Sequence, residues 1–177
     1  ALIGDLDGGR AELPAPELSR KLADWLQGPR SRALRRAGIG RRDSVLEVGC
    51  GHGFVTQELA RRTAGSVVAV DVDTGVLLPD ERMESRAPRS SPQPNNTTIT
   101  YVGADARALP FANDSFDLVF FQNTFMWIDP PCDAVAECAR VLQPAGAMVA
   151  LEPDYGGMIE EPDLGLRVVW LDTLERA

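Results

Sequence analysis

Val45-Leu46-Glu47-Val48-Gly49-Cys50-Gly51-His52-Gly53-Phe54 begins as an apolar run and closes on three alternating glycines. Such a stretch predicts a buried β-strand that turns sharply into a helix, because the turn demands backbone angles that a Cβ disfavours. A second apolar run, Ser66 to Asp71, ends on a carboxylate. The interval from Gly51 to Asp71 is about 20 residues, the spacing at which adjacent parallel strands supply a glycine turn and an acid to one ligand. Turn and acid together predict a site for an adenosine-bearing cofactor, with Asp71 at its strand mouth facing ribose hydroxyls.

The order of the glycines narrows the choice. A dinucleotide fingerprint needs glycine or alanine three residues after the second glycine. Counted from Gly51 that position is Phe54, and the third glycine, Gly53, comes one residue early. Glu47 is also informative, since a charge near the end of a buried strand is costly unless it is hydrogen bonded or meets a ligand. Both features argue against a nicotinamide-dependent oxidoreductase.

Glu47-Val48-Gly49-Cys50-Gly51-His52-Gly53 resembles the first motif of the class I S-adenosylmethionine-dependent methyltransferases, of the small-molecule type. The similarity continues in order through Val70-Asp71-Val72-Asp73, Gly103-Ala104-Asp105-Ala106, Leu109-Pro110-Phe111, Phe116-Asp117-Leu118-Val119 and Arg140-Val141-Leu142-Gln143-Pro144-Ala145-Gly146. The resemblance implies S-adenosylmethionine as cofactor, leaving as S-adenosylhomocysteine. It further implies that Glu47, Gly49, Cys50, Gly51 and Gly53 surround the methionine portion and that Asp71, with Val72 beside it, takes the ribose. Asp105 and Ala106 match the contact to adenine, and Gln122, ending the fourth strand, lies near the methionine amino group. Three acids around an apolar cleft suit a sulfonium cation, while a helix N-terminus favours the cofactor's carboxylate.

The expected fold is α/β, a doubly wound, mostly parallel sheet with helices on both faces that lacks the family's last two strands. Strands are predicted at 44–48, 66–71, 99–102, 117–122 and 146–151, with helices near 54–63, 131–142 and 163–176. Leu18, Leu22, Trp25 and Leu26 recur at helical spacing until Gly28-Pro29, and a second helix is predicted from Arg30 to Ala37. The chain thus divides into an N-terminal helical segment, 1–40, on the substrate side and a cofactor-binding domain, 41–177, that is a candidate fragment. Pro79 and the Pro, Ser and Asn of 85–98 predict an irregular loop. The apolar run Ala147-Met148-Val149-Ala150-Leu151 predicts an edge strand that seeks a partner, hence a homodimer if the chain is complete.

Composition fits one soluble domain, since a chain of 177 residues buries roughly 70% of its unfolded surface. A net charge of −8 disfavours nucleic acid as a partner. No apolar run has the length of a membrane span and no secretion signal is present, so a cytoplasmic location and no membrane partner are expected. Cys50, Cys132, Cys138 and the lone His52 lack metal-ligand spacing, so no metal is expected.

The methyl acceptor is expected to be a partly apolar small molecule, contacted by Trp25, Met126, Trp127, Asp154 and Tyr155, with Met158 nearby. Trp25 and Met126 fit ordinary core positions equally well. Gln122-Asn123-Thr124-Phe125 stands where amine-directed relatives carry Asn-Pro-Pro-aromatic, and Pro131-Cys132 reads as a helix start rather than a nucleophile. Asp117 is assigned to the fold as a turn acceptor, and Asp73 or Thr74 to capping. The expected reaction is direct in-line displacement of the sulfonium methyl, driven by positioning, with no catalytic residue assigned. The alternative is a cofactor-binding scaffold without turnover.

Overall fold

Val45 and Leu46 are adjacent and both fully buried, although neighbouring side chains on a strand point to opposite faces. A sheet built from such strands must be covered on both sides. The computed structural model describes residues 13–75 and 97–153, and it meets that requirement. Strands β1 (Ser44–Val48), β2 (Ser66–Asp71), β3 (Ile99–Gly103), β4 (Phe116–Gln122) and β5 (Leu142–Leu151) form one parallel sheet in the order β3-β2-β1-β4-β5. The winding direction reverses between β1 and β4, where ligands of open α/β sheets bind.

The odd and even residues of each strand feed separate cores. On one face Val45, Val67, Leu118 and Phe120 pack with Val55, Leu59 and Ala60 of helix α3 (Phe54–Arg62) and with Ala23, Leu34 and Ile39 of the N-terminal segment. On the other, Leu46, Val48, Val70, Val119 and Phe121 pack with Ala134, Cys138 and Val141 of helix α4 (Pro131–Val141). Those three helical positions repeat at four and three residues, one stripe of a helix. Phe120 and Phe121 are both fully buried on opposite faces, each worth roughly 1.5–3 kcal/mol of burial.

The structure departs from expectation at several element boundaries. The N-terminal helices α1 (Pro16–Trp25) and α2 (Gln27–Arg36) meet at Leu26, so Gly28-Pro29 does not separate them. Pro29 lies in the first turn of α2, where a missing N–H leaves no intrahelical bond unmade. Strand β5 starts at Leu142, not 146, because Phe116 pairs with Leu142 and Leu118 with Ala147. That irregularity absorbs residues 143–146, and Ala145 there has φ 65°. α4 stops at Val141, and β3 and β4 are each one residue longer than expected. The helix expected at 163–176, and all of the 79–98 loop but its last two residues, fall outside the described residues.

Asp117 acts in the fold as read: its carboxylate accepts hydrogen bonds from the Asp43 and Ser44 N–H groups at 2.7 and 3.3 Å, holding the start of β4 to the start of β1.

Candidate cofactor site

The glycine turn leaves β1 with its N–H groups already committed. Gly49 and Cys50 donate to the Val70 carbonyl at 2.9 and 3.0 Å, and Gly51 donates to Asp71 Oδ2 at 2.7 Å. Gly49, Gly51 and Gly53 have φ of 75, 48 and 73°, in the left-handed region. The Gly49 position has a second reason to be glycine. A Cβ there would stand 2.4 Å from the Thr124 methyl, and Thr124 is itself held by its hydroxyl donating to the Val48 carbonyl at 3.1 Å. At Gly51 a Cβ would meet, among the described residues, only Leu13 at 3.7 Å, so those residues leave this side of the turn open.

Register places the polar groups. Glu47 is aligned with Ala69 and Phe120, so Asp71 and Gln122, two residues further along their strands, share its face and flank the turn. Asp71 is buried and also accepts from the Asp73 N–H at 3.0 Å, so it staples the turn to β2 as well as standing at the strand mouth. Asp73 in turn accepts from the Gly75 N–H at 2.9 Å. Glu47 is 3% exposed and accepts the Thr56 hydroxyl at 2.5 Å. Burial pushes its carboxyl up to about 8, against the opposing pull of that bond and of the Arg30 charge. Burial likewise raises the Cys50 thiol far above its ordinary value.

Val72 offers an exposed apolar surface beyond β2, and Ala106 is buried. Asp105 is less free than expected. Arg107 pairs with it at 2.8 Å and, by that hydrogen bond first, holds its carboxyl below the usual carboxylate range. Arg107 also donates to the Asp129 carbonyl at 2.6 Å, bridging the loops after β3 and β4.

Arg30 was assigned no site role by the sequence, yet it is 3% exposed. Its guanidinium donates to Glu58 at 2.6 and 3.0 Å, to the Ala23 carbonyl at 2.9 Å and to Gln122 Oε1 at 2.8 Å. It therefore ties α1, α2, α3 and the end of β4 together. Nothing in the local pattern marks it, since Arg32, Arg35 and Arg36 on the same helix are exposed. Tyr101 was also unassigned. A Cβ on Gly53 would lie 2.8 Å from its hydroxyl, so it packs against the turn. The Nδ1 of His52 is buried with no hydrogen-bond partner among the described residues.

Of the expected acceptor contacts, Trp25, Met126 and Trp127 are 77, 44 and 43% exposed, so none is a core residue. Met126 and Trp127 share a short 3-10 turn, Phe125–Trp127, just beyond β4, whereas Trp25 ends α1. Glu152, past β5, accepts from the Thr124 N–H at 2.9 Å and so fixes the start of that turn. Asp154, Tyr155 and Met158 lie outside the described residues. Among the described residues no three His, Cys, Asp or Glu side chains are grouped to hold a metal ion.

A glycine turn at the switch point of a parallel sheet, stapled to an acid that ends the next strand, defines the nucleoside-cofactor class of α/β domains. The chain belongs to the methyltransferase-domain family, whose profile matches residues 46–150, and this family's class I fold takes S-adenosylmethionine as methyl donor. It is 32% identical to a malonyl-[acyl-carrier protein] O-methyltransferase of Enterobacter lignolyticus over 75% of this chain and 45% of that protein. It is 34% identical to a demethylmenaquinone methyltransferase of Renibacterium salmoninarum, over 75% of this chain and 48% of that one. The chain thus spans less than half the length of both relatives. The YcgJ protein of Bacillus subtilis shares the fold with a TM-score of 0.60 at 18% identity, over 85% of this chain and 58% of that chain. The [4+2]-cyclase SpnF shares it at 0.55 and 20%, over 83% and 49% respectively. No helix among the described residues is long and apolar enough to cross a membrane.

Proposed function

We propose that this chain carries the cofactor-binding part of a methyltransferase that methylates a small-molecule acceptor by direct in-line displacement. The observation that carries this reading is the Gly51 N–H bonded to Asp71 at the switch point, which presents an open glycine turn beside a strand-end acid. The donor set fits the cofactor: buried Glu47 and Asp71 suit a cation, exposed Val72 suits a flat apolar ring, and the Nδ1 of His52, unpaired among the described residues, marks a polar atom that a ligand would satisfy. When bound, S-adenosylmethionine supplies a methyl group on a positively charged sulfur.

In this reading Glu47, Gly49, Cys50, Gly51 and Gly53 hold the amino-acid portion, Asp71 and Val72 the ribose side, and Asp105 with Ala106 the adenine. Asp105 does so while keeping its ion pair with Arg107, because each carboxylate oxygen accepts more than one bond. The N-terminal segment of the 1–40 division, described from Leu13, lies on the acceptor side of the cofactor-binding domain, with Trp25, Met126 and Trp127 as exposed surface for a partly apolar acceptor. The names of two relatives, a malonyl-[acyl-carrier protein] O-methyltransferase and a demethylmenaquinone methyltransferase, support an acceptor group outside nucleic acid, with oxygen as one attacked atom. The edge of β5, unpaired among the described residues, is where a further strand, from a longer chain or a second copy, pairs. Cytoplasmic residence accords with three free cysteines, two of them buried.

Calorimetric titration with S-adenosylmethionine, S-adenosylhomocysteine and NAD tests the reading. Binding of the two adenosyl-sulfur compounds and not NAD is expected. Binding of none, or NAD preference, overturns it.

A further inference from the structure

The geometry points to Gln122 as the reader of the carboxylate on the cofactor's amino-acid tail, its amide held donor-outward by Arg30. This rests on the cleft being the S-adenosylmethionine site, and it changes the chemistry expected of Gln122, which the family resemblance put beside the methionine amino group.

The argument begins with what arginine lacks. A guanidinium has five N–H donors and no acceptor, so the Gln122 atom 2.8 Å from Arg30 Nη1 must be the carbonyl oxygen. The amide NH2 is then turned the other way. Among the described residues no acceptor is bonded to it, and Gln122 is only half-buried. Register sets Gln122 on the same face as Asp71, across the open glycine turn. A pair of outward N–H groups recognises an acceptor and repels an ammonium. The amino-acid tail of the cofactor has one anionic acceptor, its carboxylate.

Arg30 is not free to take that carboxylate itself. Four of its donors are spent on Glu58, Ala23 and Gln122, and the side chain is 4% exposed. Nor is the amide free to flip: rotation would set NH2 against the guanidinium and leave a buried charge short of an acceptor. Arg30 is thus a positioning residue, fixing the polarity of a neighbour that touches the ligand. The cluster is also anchored from below, since Glu58 is shared with Arg62 at 2.7 Å.

The test compares three thioethers by calorimetry on the purified chain: S-adenosylhomocysteine, its decarboxylated form and its deaminated form. Wild type is expected to bind the decarboxylated compound roughly tenfold or more weakly than S-adenosylhomocysteine, as the loss of a charged hydrogen bond requires. Gln122→Glu keeps an oxygen for Arg30 and replaces the donor by an acceptor. It is expected to abolish or invert that preference while leaving the decarboxylated compound bound. Independently of any variant, the Gln122 side-chain amide resonance of 15N-labelled wild type is expected to shift with S-adenosylhomocysteine and with the deaminated compound, but little with the decarboxylated one.

Retention by Gln122→Glu of the tenfold preference for S-adenosylhomocysteine over the decarboxylated compound, or a wild-type amide resonance that follows the amino group, would overturn the inference. Wild type that binds none of the three fails the cofactor reading itself, a result distinct from binding without carboxylate discrimination.

Discussion

Two arginines, one on each side of the sheet, do similar work in different surroundings. Arg140 on α4 pairs with Glu137 at 2.7 Å and donates to the carbonyls of Phe111 and Leu109 at 2.8 and 3.0 Å, pinning the loop before β4. Arg30 pairs with Glu58 at 2.6 Å and pins the N-terminal helices to α3 and β4. The Arg140 side chain is 32% exposed and Arg30 only 4%. Water therefore shares the Arg140 network and reaches the bonds around Arg30 far less. The same bonding pattern is a surface brace in one place and an interior tie in the other.

The sharpest way to break the comparison is Arg30→Ala. Removing Arg30 leaves Glu58 with Arg62 alone and strips the buried Ala23 carbonyl and Gln122 Oε1 of their donor, an expected loss of about 3 kcal/mol in urea unfolding. Arg140→Ala should cost clearly less. Equal losses would mean that burial does not set the value of these networks.

Next in size is Asp71→Ala, expected to lose about 1.5–3 kcal/mol of cofactor affinity by calorimetry, because charged hydrogen bonds to the glycine turn and to ligand both go. Unchanged affinity would remove Asp71 from the site.

The two glutamates near Arg30 sharpen the point further. Burial acts upward on Glu58, but the bonds of Arg30 and Arg62 outweigh it and lower its carboxyl, whereas Glu47 receives the Arg30 charge without a bond and rises to about 8. The folded protein thus holds on Glu47 a proton that the unfolded chain releases near 4.5, and stability from this group falls as pH rises from about 4.5 toward 8. Glu58 works in the opposite sense, its contribution being lost as pH falls through its depressed value. Glu47→Gln is expected to flatten the decline in urea stability between about pH 4.5 and 8. Cofactor binding should also release protons near neutral pH in wild type and fewer in the variant, measured in buffers of different ionisation enthalpy. No difference in proton release would mean that Glu47 keeps its proton beside the cation.

The smallest expected effect is at Arg107. Arg107→Gln frees the exposed Asp105 carboxylate, and cofactor affinity should change by less than in Asp71→Ala. A larger loss would show that the ion pair orients Asp105 for adenine.

Strand positions, sheet type and the glycine turn were legible in residues 44–71 because burial on both faces leaves a continuous apolar run, and left-handed φ leaves glycines. The bulge at 143–146 was not, since the apolar pattern resumes only at Ala147 and hides the pairing of Leu142 with Phe116. Asp71 and Glu47 were readable as charges at the ends of apolar strands, where solvation is lost. By itself, then, the sequence determined the parallel α/β architecture, the family and the acids that face the turn, all of them carried by local spacing. Only the tertiary structure decided which arginine is buried, that Gln122 presents its amide hydrogens, and that Thr124 forbids a side chain at Gly49. Each of those depends on a partner between 28 and 92 residues away in the chain, at a distance no periodicity encodes.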